Sequence, residues 1–259
     1  MKQFYKMMLV SAGLALASPA QAMVVSSSSD AASLVAGFAG SGITIVGTPT
    51  LSTDTTGGVG SFSNGGNLGL QSGVVLTNGS LACAAGSNDQ SGCSGAGSFS
   101  SLKFDFTSAS GRLFFNYLFA SEEYEEYVGE FNDTFQVLLN GVNIALLPTT
   151  DSGSFEVSIN NVNSGSNAAY YRSNDDGSID TQYDGLTRVL TSYAEVGLGV
   201  NTIEFLVQDV GDSDFDSGIF VQAGSFASTN VPEPDSLALL ALSFAGLIGV
   251  SRRKTRTAA

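Results

Sequence analysis

The chain has 259 residues, 43% hydrophobic and only 13% charged, with 31 glycines and neither tryptophan nor histidine. Lacking imidazole, it excludes Ser-His-Asp, Cys-His and His-zinc chemistries, because the commonest general base and the commonest transition-metal ligand are both missing. The formal charge is −14, and between Met23 and Val231 only Lys103, Arg112, Arg172 and Arg188 oppose 22 carboxylates, a net −18 that repels phosphate backbones and argues against nucleic acid as a partner.

Residues 1–22 carry Lys2 and Lys6, then an apolar run from Met7 to Ala17, then Ala20-Gln21-Ala22. A basic start, a short apolar centre and a small-x-small end predict a cleavable signal peptide, with the mature chain beginning near Met23. An apolar cluster at Leu34, Val35 and Phe38 behind Ser29 or Asp30 predicts a short capped helix at the head of the domain. Strands are expected at Ile43 to Val46, Val59 to Phe62, Gly73 to Thr77, Leu102 to Phe106 and Arg112 to Ala120. Further ones are expected at Thr134 to Leu139, Val142 to Leu147, Phe155 to Ile159, Leu186 to Ala194, Thr202 to Val207 and Gly218 to Phe226.

Asn140-Gly141 between two apolar runs predicts a type I′ hairpin, and Ile203, Phe205 and Val207 alternate with polar residues as one buried face of a strand. Leu113 to Phe119 is apolar on both faces, at every position but Asn116, and reads as a central strand. The fold class expected is all-β: a jelly-roll-like antiparallel β-sandwich with a short N-terminal helix, plus a C-terminal hydrophobic helix. Cys83 and Cys93 enclose nine residues. Export would favour a disulfide there, stabilising by roughly 2 to 3 kcal/mol; two free thiols are the other reading.

The end of the chain reads VPEPDSLALLALSFAGLIGVSRRKTRTAA, with 15 uncharged residues from Ser236 to Val250 ahead of Arg252, Arg253, Lys254 and Arg256. As a helix that run reaches about 22 Å, short of the roughly 30 Å hydrocarbon core. Its basic cluster should stay on the cytoplasmic side, leaving the domain outside. Val231-Pro232-Glu233-Pro234, the short apolar segment and the Arg-rich end, in that order, resemble the PEP-CTERM sorting signal. The resemblance implies an exosortase-type membrane protease as partner, transient residence in the inner membrane of a Gram-negative bacterium that makes exopolysaccharide, and delivery to the cell surface or the extracellular space.

The blocks SLKFDFTSASGRLFFNYLFASEEYEEYVGEFNDTFQVLLNG, YDGLTRVL and DVGDSDFDSGIFVQAGSF, with SGVVLTNGS upstream, resemble the choice-of-anchor L domain. That family joins one ectodomain to alternative C-terminal anchors and carries over no catalytic residue. The domains expected are a signal peptide at 1–22, the ectodomain at 23–229 and the sorting segment at 230–259. The segment Asn160 to Asp184 departs from the family pattern and is expected to be a variable loop.

Two acidic groups follow strong strands: Glu122, Glu123, Glu125, Glu126, Glu130 and Asp133, then Asp209, Asp212, Asp214 and Asp216. Crowded carboxylates favour a hard cation such as Ca²⁺, and the alternate spacing Asp212-x-Asp214-x-Asp216 suits a tight loop. Glu123, Asp133, Asp209, Asp212, Asp214 and Asp216 are the residues nominated, and the competing reading is a set of solvated Asx turns. Two carboxylates can also hydrolyse glycosides; adjacent Glu122 and Glu123 point to opposite faces and cannot be that pair, though one of them with Asp133 or Asp216 could. The function expected is a non-catalytic surface or matrix protein, adhesive and associated with exopolysaccharide. A calcium-dependent module binding carbohydrate or protein is the alternative.

Overall fold

The structure is a computed structural model that describes residues 22–54, 58–89, 93, 97–147, 155–209 and 215–231. The predicted signal peptide and C-terminal helix lie outside the described residues. Chain order is β1 (Val24–Ser27), α1 (Ala31–Phe38), β2 (Ile43–Thr53), β3 (Val59–Ser63), β4 (Ser72–Thr77), β5 (Phe99–Ser108), β6 (Arg112–Ser121) and β7 (Thr134–Leu139). It continues through β8 (Val142–Asn143), β9 (Leu146–Leu147), β10 (Phe155–Glu156), β11 (Tyr171–Ser173), β12 (Gly185–Thr187), β13 (Leu190–Glu195), β14 (Asn201–Gln208) and β15 (Ser217–Gln222).

Two antiparallel sheets form a sandwich. One runs β1-β3-β4-β15-β6-β12-β11 with β13 also on β6, the other β2-β5-β14-β7-β8. Between them lie Leu113, Phe115, Tyr117 and Phe119 of β6 against Phe104, Phe135, Phe205 and Val207 of the facing sheet. Alternation sends Leu118 and Ala120 of β6, with Val75, Leu186 and Phe220, to the outer face of the larger sheet, where Leu68, Leu70, Leu81 and Tyr183 cover them. Both faces of β6 are therefore buried, which is why its sequence hardly alternates.

Asp30 caps α1, accepting from the Ala32 and Ser33 amides at 3.1 and 3.3 Å. The helix then drives Phe38 into the core, edge-on to Phe104, Phe205 and Phe226 at ring-centre distances of 5.7, 5.5 and 5.7 Å. Asn140 and Gly141 take φ of 51° and 84° and join β7 to β8, as the primed turn requires.

Four expected strands are interrupted, each for a local reason. Of Phe155 to Ile159 only β10 forms, because the Ser158 carbonyl accepts the Asn161 and Val162 amides in a turn. Asn143 accepts the Val137 and Ala145 amides on its side chain at 3.1 and 3.0 Å, which ends β8 and separates it from β9. Gly224, at φ 69°, turns the chain after β15. Between β12 and β13, the three residues between Leu186 and Leu190 face the two between Ala120 and Tyr117, a one-residue bulge that pushes Arg188 and Val189 out of the ladder.

The segment expected to be a loop, Asn160 to Asp184, contains β11 and is tied by asparagine side chains. Buried Asn174 donates to the carbonyls of Ile179, Thr181 and Tyr183 and accepts the Ile179 amide. Side-chain amides there supply the hydrogen bonds that a ladder supplies elsewhere.

Candidate functional site

β6 lies between β15 and β12, and Ser121 is paired with Ser217 on one side and Gly185 on the other. One residue further, Glu122 comes between Asp216 and Asp184, and its amide donates to the Asp216 carbonyl at 3.1 Å. All three are two positions from outer-face residues, so their carboxylates share that face. Like charges opposed across strands destabilise a sheet, and here they are three abreast.

A lid of short segments covers the row. Cys83, in the 3-10 turn Leu81–Ala84, is joined to Cys93 by a disulfide with a Cα–Cα distance of 5.5 Å. The Cys93 carbonyl accepts the Asp216 amide at 3.4 Å, and the Ser80 amide donates to Asp216 Oδ2 at 2.5 Å. Asn88 donates to Asp184 Oδ1 at 2.5 Å. At Gly79 a Cβ would stand 1.8 Å from Asp216 Oδ1, so only glycine allows this approach.

On the other side of the β6 end, Asn78 links both acidic groups. It donates to Asp133 Oδ2 at 2.8 Å and accepts the Ser217 amide at 2.6 Å. The Asp133 amide donates to Glu123 Oε2 at 3.4 Å, and the Glu123 amide to Ser121 Oγ at 3.0 Å.

The electrostatics follow from this crowding. Glu122 is 3% exposed and its Oε1 has no hydrogen-bond partner among the described residues. Burial first, then the charges of Asp184, Asp216 and Asp89, push its carboxyl up to about 8 against the Cys93 amide that favours the anion. Asp184 is pushed up to about 6, mainly by burial. At neutral pH Glu122 therefore holds a proton, which relieves the row by one charge. The buried Tyr183 hydroxyl, next to Asp216, is driven well above its ordinary value, again chiefly by burial.

Of the six residues nominated for calcium, the structure brings Glu123 and Asp133 together and sets Asp216 across Asn78 from them. Asp209 follows β14, its amide donating to the Ser98 carbonyl at 2.9 Å. Asp212 and Asp214 lie outside the described residues. Among the described residues, no three acidic side chains are arranged as a ready-made metal cage. Sequence reasoning missed the row itself: Asp184 stood in the expected loop, and only cross-strand register joins it to Glu122.

The outgoing chain is fastened where the tail begins. Ala227 bridges Phe114, and Asn116 of β6 donates to Gln222 Oε1 at 2.9 Å and to the Val231 carbonyl at 3.1 Å. Pro232, Glu233, Pro234, Arg252, Arg253 and Lys254 of the sorting motif lie outside the described residues.

A disulfide-pinned acidic sandwich that hands its chain directly to a sorting tail defines an exported surface module. The choice-of-anchor L domain matches residues 23–227, and the chain belongs to that family. Residues 230–254 match the PEP-CTERM protein-sorting motif, which directs export through the membrane to the cell surface and processing by exosortase-type machinery. No curated protein and no solved structure matches the chain.

Proposed function

We propose that this domain is a non-catalytic, adhesive component of the surface or matrix of a Gram-negative bacterium, associated with exopolysaccharide and released or retained after cleavage of its tail. The observation that carries the reading is the join itself: the choice-of-anchor L match ends at residue 227, the sorting match starts at 230, and Asn116 holds the chain at Val231. Support for a non-catalytic domain comes from burial. Glu122, Glu123, Asp133 and Asp216 are at most 3% exposed, under segments that keep a glycosidic bond from reaching them.

A second reading, a calcium-dependent binding module, draws on the row Asp216, Glu122 and Asp184, where a cation in place of the proton on Glu122 would balance the charge. Mass spectrometry of the mature C-terminus, from cells with and without the sorting protease, tests the first reading. Loss of the Arg-rich end only when the protease is present is expected. The same C-terminus in both would overturn it.

A further inference from the structure

Four cations face 22 carboxylates between Met23 and Val231, yet two of the four, Arg172 and Arg188, line one cavity. The cavity is open to the surface, about 280 Å³ in volume, and bounded also by Leu68, Gly69 and Val189. Register explains the meeting. Arg172 on β11 pairs with Leu186, whose side chain lies on the outer face; Arg188, two residues beyond Leu186, keeps that face by alternation, and the bulge after β12 brings Val189 to it as well. Bulges commonly re-aim a side chain in this way beside functional sites.

Both guanidinium groups are held but not neutralised. Arg172 donates through its terminal nitrogens to the Leu68 and Asn67 carbonyls at 2.7 and 2.8 Å, and Arg188 donates through Nε to the Ala169 carbonyl at 3.0 Å. These bonds fix the stems and leave both terminal nitrogens of Arg188 for a ligand. Among the described residues the one ion pair is Lys103 with Glu204, at 3.4 Å. Burial and the Arg188 charge push Arg172 below the ordinary guanidinium value, and no carboxylate among the described residues offsets them. Two like charges kept together in so acidic a domain are a standing cost that an anion removes.

We propose that Arg172 and Arg188 form a recognition cleft for the carboxylate of one acidic sugar unit in a polyanionic glycan. The planar fork of a guanidinium matches a carboxylate by two parallel hydrogen bonds. The volume lies near the lower end of the range for ligand pockets, about 300 Å³ upward, which suits one ring rather than a large ligand. Leu68 and Val189 supply an apolar wall for the C–H face of that ring, and the open mouth lets a polymer leave in both directions. The rest of the domain repels a polyanion, so contact is confined to the cleft. At physiological salt that long-range repulsion is screened beyond about 8 Å, while the direct ion pairs survive.

The proposal rests on the adhesive reading only for the source of its ligand. The test titrates the full chain, in mild detergent and physiological salt, with trigalacturonate, maltotriose and inorganic phosphate. Saturable binding of trigalacturonate alone is expected, weakened about tenfold or more by Arg188→Ala and abolished by Arg188→Glu, as loss of charged hydrogen bonds implies. Arg188→Lys, which keeps the charge without the fork, should lie between. Unchanged unfolding midpoints would show that the variants fold, and Arg188 is exposed enough to be replaced. No binding by the wild type, equal binding of maltotriose or phosphate, or equal affinity in Arg188→Ala would overturn the cleft. Binding in solution with no protein on cells would keep the cleft and overturn the surface reading.

Discussion

Replacing Glu122 by Gln isolates the buried proton. The folded carboxyl titrates at about 8 against an ordinary 4.5, so the folded state binds a proton that the unfolded state has already lost over that interval. Stability contributed by this group is therefore fully present below about pH 4.5 and lost as pH rises toward 8. At about 1.4 kcal/mol per tenfold, the gap sets an upper limit near 5 kcal/mol. Water entering beside a charged Glu122, and rotation of its carboxylate away from Asp184 and Asp216, reduce this to about 2 to 3 kcal/mol. Glutamine keeps the shape and a donor but cannot ionise. Denaturant unfolding of the full chain should find the variant near wild type at about pH 5 and more stable by about 2 to 3 kcal/mol at about pH 9. The comparison cancels the general repulsion of an acidic domain, which both proteins share. A variant that loses stability equally at both values would refute the reasoning, because the side chain would then matter for its shape and not for its proton.

The cation reading of the same row predicts that millimolar Ca²⁺ at about pH 8 raises the unfolding midpoint of the wild type but not of Glu122→Gln, since a ligand that binds only the folded state stabilises it by mass action. No calorimetric heat and no shift in the wild type would eliminate calcium from the row. Replacing Cys83 and Cys93 together by Ala should cost roughly 2 to 3 kcal/mol in denaturant unfolding through the opened loop, and should bring the Glu122 pH dependence closer to that of an exposed carboxylate as the lid loosens. Asn174→Ala removes a side chain with four hydrogen bonds to the Ile179-to-Tyr183 turn. A loss of about 2 to 4 kcal/mol, with early proteolysis near residues 174–184, is expected from unsatisfied buried carbonyls; resistance equal to wild type would count against that role.

What the sequence made legible was whatever one strand decides by itself. Alternation at Ile203, Phe205 and Val207 assigned the buried face of β14, and all three are fully buried. Apolarity on both faces from Leu113 to Phe119 assigned β6 to the middle of its sheet, and Asn140-Gly141 fixed a hairpin whose turn is written in residue type. The fold class followed from such local signals. Neither charged constellation did, because each depends on which strands are neighbours and in what register. Asp184 is 62 positions from Glu122 and Asp216 is 94, yet the pairing of Ser121 with Gly185 and Ser217 sets them in one row. The arginines show the same limit: only the pairing of Arg172 with Leu186, two residues before Arg188, places both guanidinium groups on one face, and the residue added between Leu186 and Leu190 turns Val189 to that face beside them. A deletion of Val189 would restore unbroken pairing along β6 and remove one side of the apolar wall of the cavity, leaving Arg188 on its face and every charge in place. Weakened trigalacturonate binding in that deletion, with the fold retained, would show that the wall contributes beyond the two charges, and unchanged binding would refute that contribution.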